Sequence, residues 1–276
     1  MSKYLIFSDI DGTICYNRPN IIPESTIQAM KSARENGHKI FLCTGRSFVS
    51  IDQMLLDLPI NGMVLCCGAQ VIYNDNVQEL TPIPKKLLIT ILDYFIKHEI
   101  GFSLECPNKN LLFNEGYEVF KKLKTLHLEE HLRDEYLRNR GYIPFNEIKE
   151  EDYEQGLKVS FYSNKVKEIQ YFLDHMDSRL DGYFDHMFKD IESGEILLNT
   201  TTKAYGIDVV RKKYNIDIDH VIAIGDGLND LPMINHAGIG IAMGNSVDKL
   251  KEVADYVTDN VDNDGFEKAF KHYKLI

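Results

Sequence analysis

A chain of 276 residues, 44% hydrophobic and 26% charged, can bury one large core or two moderate ones without disulfide support. Its net charge of −11 argues against an extended nucleic-acid surface or an anionic-membrane patch and leaves room only for a local basic pocket. The five cysteines lack the spacing of a disulfide framework, and there is neither a signal peptide nor an apolar run long enough to span a bilayer, so a reducing cytoplasm is the expected setting.

The chain opens with an apolar strand, Tyr4 to Ser8, that runs into Asp9-Ile10-Asp11-Gly12-Thr13. Glu24 to Asn36 reads as a helix with Ile27, Met30 and Ala33 on one face and Gly37 as its stop. Lys39 to Cys43 is a second strand, ending in Thr44-Gly45-Arg46, and a helix is predicted from Ser47 to Leu56. Gly62 to Cys66 is a third strand, followed by Cys67-Gly68-Ala69 and a small hairpin around Asn74-Asp75-Asn76. Strands alternating with helices imply a parallel sheet covered on both faces.

Pro82 and Pro84 then mark a boundary. Beyond them the sequence predicts helices over Lys85 to His98, Gly116 to Arg140 and Lys165 to Met176. It predicts strands at Phe102 to Glu105, Leu111 to Phe113, Leu157 to Tyr162, Tyr183 to Phe188 and Glu195 to Leu198. Clustered strands with helices describe an α+β insert, placed at residues 82–190 between the core segments 1–81 and 191–276. The sheet pattern resumes with the helix Thr202 to Tyr214 and the strand His220 to Ile224, which ends at Gly225-Asp226-Gly227-Leu228-Asn229-Asp230. A short helix to His236, the strand Ile239 to Ala242, the loop Met243-Gly244-Asn245-Ser246, a helix, the strand Asp255 to Val257 and a helix from Phe266 complete the chain.

Ligands of open α/β sheets bind beyond the carboxyl ends of the strands, and four strands here end in polar clusters. Asp9 and Asp11 are two apart in an extended segment and face one volume, where two like charges call for a hard cation such as magnesium. A carboxylate such as Asp9 can attack phosphorus, and Asp11 can serve as acid and then base. Thr44 offers a hydroxyl, Gly45 lets a backbone N–H approach a phosphate oxygen, and Lys203 is a cation at a helix start. Asp226 is a third carboxylate suited to the metal, while Asn229 and Asp230 begin a helix whose backbone donors face anions. Arg46 reads either as a substrate contact or as a surface residue at a helix start.

Together, Asp9-x-Asp11-Gly-Thr13, Thr44-Gly-Arg46, Lys203 and Gly225-Asp226-Gly-x-Asn229-Asp230 resemble the haloacid dehalogenase superfamily of phosphotransferases, over nearly the whole chain. The insert after the third strand resembles the large α+β cap of the Cof-type branch. The resemblance implies a doubly wound, Rossmann-like α/β core with an inserted α+β cap. It implies Asp9 as nucleophile and magnesium ligand, Asp11 as acid/base with its carbonyl on the metal, and Asp226 as the third ligand. Ile10 N–H, Thr44, Gly45, Lys203 and Asn229 would hold the phosphoryl group, and Asp230 would steady Lys203 or a metal-bound water. Related sequences often carry Asn-Gly-Ala at Cys67-Gly68-Ala69. The implied function is a magnesium-dependent, cytoplasmic phosphatase of small phosphate esters such as sugar phosphates, with no nucleic-acid or membrane partner. A phosphomutase and a phosphometabolite-binding regulator are the alternatives. The sequence leaves the oligomeric state open.

Overall fold

The computed structural model describes residues 3–16, 21–74, 76–125, 128–185 and 190–276. Its strands are β1 (Leu5–Ser8), β2 (Lys39–Cys43), β3 (Gly62–Leu65), β4 (Gln70–Tyr73), β5 (Asn76–Leu80), β6 (Gly101–Glu105) and β7 (Asn110–Phe113). They continue as β8 (Tyr142–Pro144), β9 (Lys158–Tyr162), β10 (Leu180–Phe184), β11 (Ser193–Leu198), β12 (Val221–Gly225), β13 (Ile239–Ala242) and β14 (Tyr256–Val257). No helix among the described residues is long and apolar enough to cross a membrane. The chain divides into two compact units, one of Met1–Arg46, Asp52–Leu80 and Thr201–Ile276, the other of Ser47–Ile51 and Thr81–Thr200.

The first unit is built on one sheet of order β14-β13-β12-β1-β2-β3-β4-β5. The pairs from β14 to β3 are parallel, and β3, β4 and β5 add antiparallel strands at the edge. Parallel strands need both faces covered, and β1 reads as a continuous apolar run because it is buried throughout. Leu5 and Phe7 point to one face, where they share a core with Ile207 and Val210 of the Lys203–Tyr214 helix and with Met233 and Ile234. Ile6, one residue from each in a strand whose side chains alternate, points to the other face and is equally buried. In β1 and β12 the register sets Ser8 beside Ile224, so the two strands end together and their following loops emerge at one edge.

The second unit holds a sheet of order β10-β11-β9-β6-β7-β8, antiparallel except between β7 and β8. The Lys85–Lys97 and Val166–His175 helices cover one face, burying Leu88, Ile91, Phe95, Ile169 and Phe172 against Phe102, Val159, Phe161 and Ile196. The opposite face carries a buried charge network in which Lys158 meets both Glu105 and Glu195.

The doubly wound parallel core and a separate α+β unit agree with the sequence reading, and the differences have physical causes. The second unit extends to Thr200, beyond the expected limit of 190, because β11 pairs with β9 and β10. The helix expected from Ser47 to Leu56 is split into a 3₁₀ turn, Phe48–Ser50, and a short helix, Gln53–Leu56, with Ile51 extended between them. Val49 belongs to the core of the second unit while Leu55 is buried in the first, so one helix does not serve both. The helix expected from Gly116 to Arg140 is also broken, into Glu115–Thr125 and Arg133–Asn139. Phe120 and Leu137 enter the same small core, yet at roughly 3.6 residues per turn a continuous helix would set them on different faces. β10 ends at Phe184, and positions 186–188 of the strand expected there lie outside the described residues, as does Asp75 of the hairpin turn. β8 was not anticipated, since three residues containing a proline carry no strand period.

Candidate active site

The end of β1 hands the chain to Asp9, whose N–H donates to the Ile224 carbonyl on β12. The turn that follows depends on Gly12, which has φ +86 and so little room that a Cβ would lie 2.2 Å from Asp226 Oδ2. β12 delivers Gly225 and Asp226 beside it, and a Cβ on Gly225 would lie 2.4 Å from the Asp230 carboxyl carbon. Gly12 thus makes room for the carboxylate of the other motif, and Gly225 makes room for the Asp230 carboxylate of its own.

Lys203 opens the Lys203–Tyr214 helix behind an N-cap in which Thr202 accepts a hydrogen bond from the Tyr205 N–H. Its ammonium lies 2.5 Å from Asp9 Oδ1 and 2.5 Å from Asp230 Oδ1. All three side chains are buried. The other Asp230 oxygen accepts from the Asp226 and Gly227 N–H groups, both at 2.9 Å. Both oxygens of Asp230 are therefore engaged, one by Lys203 and one by the loop.

Burial would drive the Lys203 ammonium toward neutrality, but the charges of Asp230 and Asp9 outweigh it and hold its pKa well above the usual lysine value. Burial also raises the Asp9 carboxyl, opposed by Lys203 and reinforced by Asp230, Asp11 and Asp226. Asp226 is pushed up to about 7, by burial first and then by the Asp230 charge, against the hydrogen bond that it accepts from Thr13. Carboxylate oxygens of Asp9, Asp226 and Asp230 all lie within 4.8 Å of one another. One lysine does not neutralise three carboxylates, and an all-oxygen donor set of this charge suits a hard divalent cation.

Other expected residues sit apart from this trio. Asp11 turns its carboxylate to Arg46, which donates from Nε at 2.9 Å and from Nη2 at 2.6 Å in a forked pair. Arg46 also lies 3.6 Å from Asp52. The carboxylates that converge are thus Asp9, Asp226 and Asp230, whereas the expected metal set counted Asp11, through its main-chain carbonyl, in place of Asp230. Thr44 is buried at the end of β2, where its hydroxyl accepts from the Arg46 N–H at 3.2 Å. Ile10 is buried in the first turn, Gly45 is half-buried, and Asn229 is exposed with its amide oxygen over Gly227. Cys67 has φ 55 and ψ 29, a left-handed conformation that asparagine adopts more readily than most residues. Thr13, part of the first motif but given no role by the sequence reading, and Asn245 both approach Asp226. The only signal for Asn245 was its place in a loop following a parallel strand.

A sequence profile of haloacid dehalogenase-like hydrolases matches residues 6–270. The chain belongs to this family. YkrA of Bacillus subtilis is 30% identical, with 100% of each chain covered. The pyridoxal phosphate phosphatase YbhA of Escherichia coli is 22% identical, covering 95% of this chain and 97% of its own. Among solved structures, the subclass IIB sugar phosphatase BT4131 superposes with a TM-score of 0.79 at 26% identity, with 100% of both chains covered. The resemblance read from the motifs is therefore correct, and the chain is a phosphoric monoester hydrolase of the haloacid dehalogenase fold.

Proposed function

We propose that the chain is a magnesium-dependent phosphatase of small phosphate esters that works through an aspartyl-phosphate on Asp9. The observation that carries this reading is the Asp9 carboxylate, buried, fixed at 2.5 Å by Lys203 and set among two further carboxylates. A carboxylate used only for folding would not be gathered with two others at such desolvation cost.

Asp9, Asp226 and the Asp11 carbonyl would hold the cation, whose charge supplies electrostatic stabilisation of the transferring phosphoryl group. An Asp9 oxygen attacks phosphorus as the bond to the ester oxygen breaks. Asp11 gives its proton to the departing alkoxide and later removes one from the water that hydrolyses the acyl phosphate, releasing inorganic phosphate. Both Asp11 oxygens are occupied by Arg46 in this structure, so proton donation requires the guanidinium to turn away. The phosphoryl anion of an incoming substrate is a competing partner for Arg46. Lys203 offsets charge on Asp9 and the phosphoryl oxygens, while Asp230 anchors Lys203. Ile10 N–H, Thr44, Gly45 and Asn229 complete the phosphoryl contacts. The second unit is assigned as the cap that selects substrates.

Relatives support a small substrate. YcsE of Bacillus subtilis, 28% identical, acts on 5-amino-6-(5-phospho-D-ribitylamino)uracil, and YbhA on pyridoxal phosphate. The test is phosphate release from a panel of sugar phosphates and related esters with magnesium and with chelator, for the wild type and Asp9→Asn. Magnesium-dependent release that Asp9→Asn abolishes is expected. Release that survives either change overturns the mechanism.

A further inference from the structure

Asn245 lies in the loop after β13, exposed, and none of the catalytic steps above uses it. Its contacts are nonetheless directional. The Val261 N–H donates to Asn245 Oδ1 at 2.9 Å. A backbone N–H has no acceptor function, so this bond fixes which end of the amide is oxygen. The amide nitrogen must then face the opposite way, where it donates to the Gly12 carbonyl at 2.8 Å and lies 3.5 Å from Asp226 Oδ2. Thr13 Oγ1 donates to the other Asp226 oxygen at 3.1 Å. The Asp226 carboxylate is thus addressed from both sides, by Thr13 of the first motif and by Asn245 of the last loop.

The platform that presents Asn245 is itself held to the Asp226 main chain. Met243 N–H donates to the Gly225 carbonyl at 3.0 Å, Val247 N–H to the Asp226 carbonyl at 3.1 Å, and Ser246 Oγ to the Gly225 carbonyl at 3.2 Å. Gly244, against which a Cβ would lie 2.6 Å from Asn260 Oδ1, keeps the loop tight. An exposed asparagine normally exchanges among water partners and gains little from order. Here three protein groups from three separate stretches of chain, Gly12, Asp226 and Val261, converge on one amide.

We propose that Asn245 is a positioning residue for a divalent-cation site, orienting the Asp226 carboxylate and the first-motif turn and so setting cation affinity. The inference rests on the reading of Asp226 as a cation ligand. Partners that orient a ligand from behind typically contribute about 10–100-fold in metal affinity.

The experiment is calorimetric titration of magnesium into the full-length wild type, Asp226→Ala, Asn245→Ala and Asn245→Ser. Serine keeps a polar loop residue but is one bond too short to reach either acceptor. The wild type is expected to bind, Asp226→Ala to lose binding, and both Asn245 variants to bind about tenfold more weakly. Thermal melts in chelator should leave the Asn245 variants close to wild type, with the magnesium-induced rise in melting temperature reduced. At saturating magnesium their kcat should return toward wild type with an unchanged KM for the phosphate ester. Wild-type affinity in both Asn245 variants, alongside lost binding in Asp226→Ala, overturns the inference and leaves the cation site standing. A melt in chelator lowered as much as in magnesium overturns it too, by making the role one of general stability. Absent wild-type binding, or full binding by Asp226→Ala, overturns the underlying assignment of Asp226 and this inference with it.

Discussion

Lys203 is buried between two carboxylates, and its removal separates charge balance from chemistry. Lys203→Met would leave Asp9 and Asp230 buried without their cation, a change that typically costs about 3–5 kcal/mol. Urea denaturation in chelator should show that loss, and turnover should vanish. Asp11 is expected to matter in proportion to the basicity of the leaving group, since a sugar alkoxide must be protonated and p-nitrophenolate need not be. Asp11→Asn should slow single-turnover phosphorylation by a sugar phosphate about 10²–10⁴-fold and by p-nitrophenyl phosphate much less. Equal losses would show that Asp11 acts through geometry alone. At this scale the sequence was most informative about residues whose chemistry is written in local spacing. The meeting of Asp9 with Asp226 was legible because parallel strand ends bring their carboxylates to one edge, whereas the Asp11 carboxylate sits apart from them. The Arg46–Asp11 fork and the Asn245 contacts were not legible, because they join groups 16 or more positions apart that no local period relates.

Among elements, the Lys203–Tyr214 and Leu231–His236 helices are tied by Asp208, which accepts from His236 at 2.9 Å and also pairs with Arg211. Burial alone would raise the Asp208 carboxyl, but hydrogen bonds from His236 and Arg211 outweigh it and hold it down to about 2. In an unfolded chain it returns to about 3.9. A depressed folded pKa gives stability that is full above the unfolded value and is lost as pH falls through the folded one. Asp208→Asn should therefore lower the urea midpoint at neutral pH and flatten its decline between about pH 4 and pH 2. A decline identical to wild type would show that the tie contributes nothing. Helices with one steady apolar stripe, such as Lys85–Lys97, were legible in the sequence. The two that broke, near Ile51 and after Thr125, share their apolar residues out among different cores or different faces, and that allocation is a tertiary fact.

For the molecule as a whole, the parallel sheet and the separate α+β unit were legible because strand-helix alternation gives way to clustered strands. The boundary at 200 was not, because β11 looks like any strand until its partners are known. The second unit contains none of the expected catalytic residues, which supports the proposed role in substrate selection. Joining Leu80 to Thr201 through a short glycine linker should depress activity on metabolite esters far more than on p-nitrophenyl phosphate, provided circular dichroism shows a folded product. Equal depression would mean that the unit supplies chemistry.

The five residues Ser47–Ile51 carry a practical consequence for recombining such enzymes. They are encoded next to Arg46 but pack with a unit whose remaining sequence begins at Thr81. Arg140 donates to the carbonyls of Val49 and Ile51, and the Tyr142 hydroxyl meets both Ser50 and Val49. A chimera made by exchanging one contiguous cassette would therefore strand this pentapeptide against a foreign partner. Exchanging this unit takes two coordinated insertions, the shorter of them one codon downstream of Arg46.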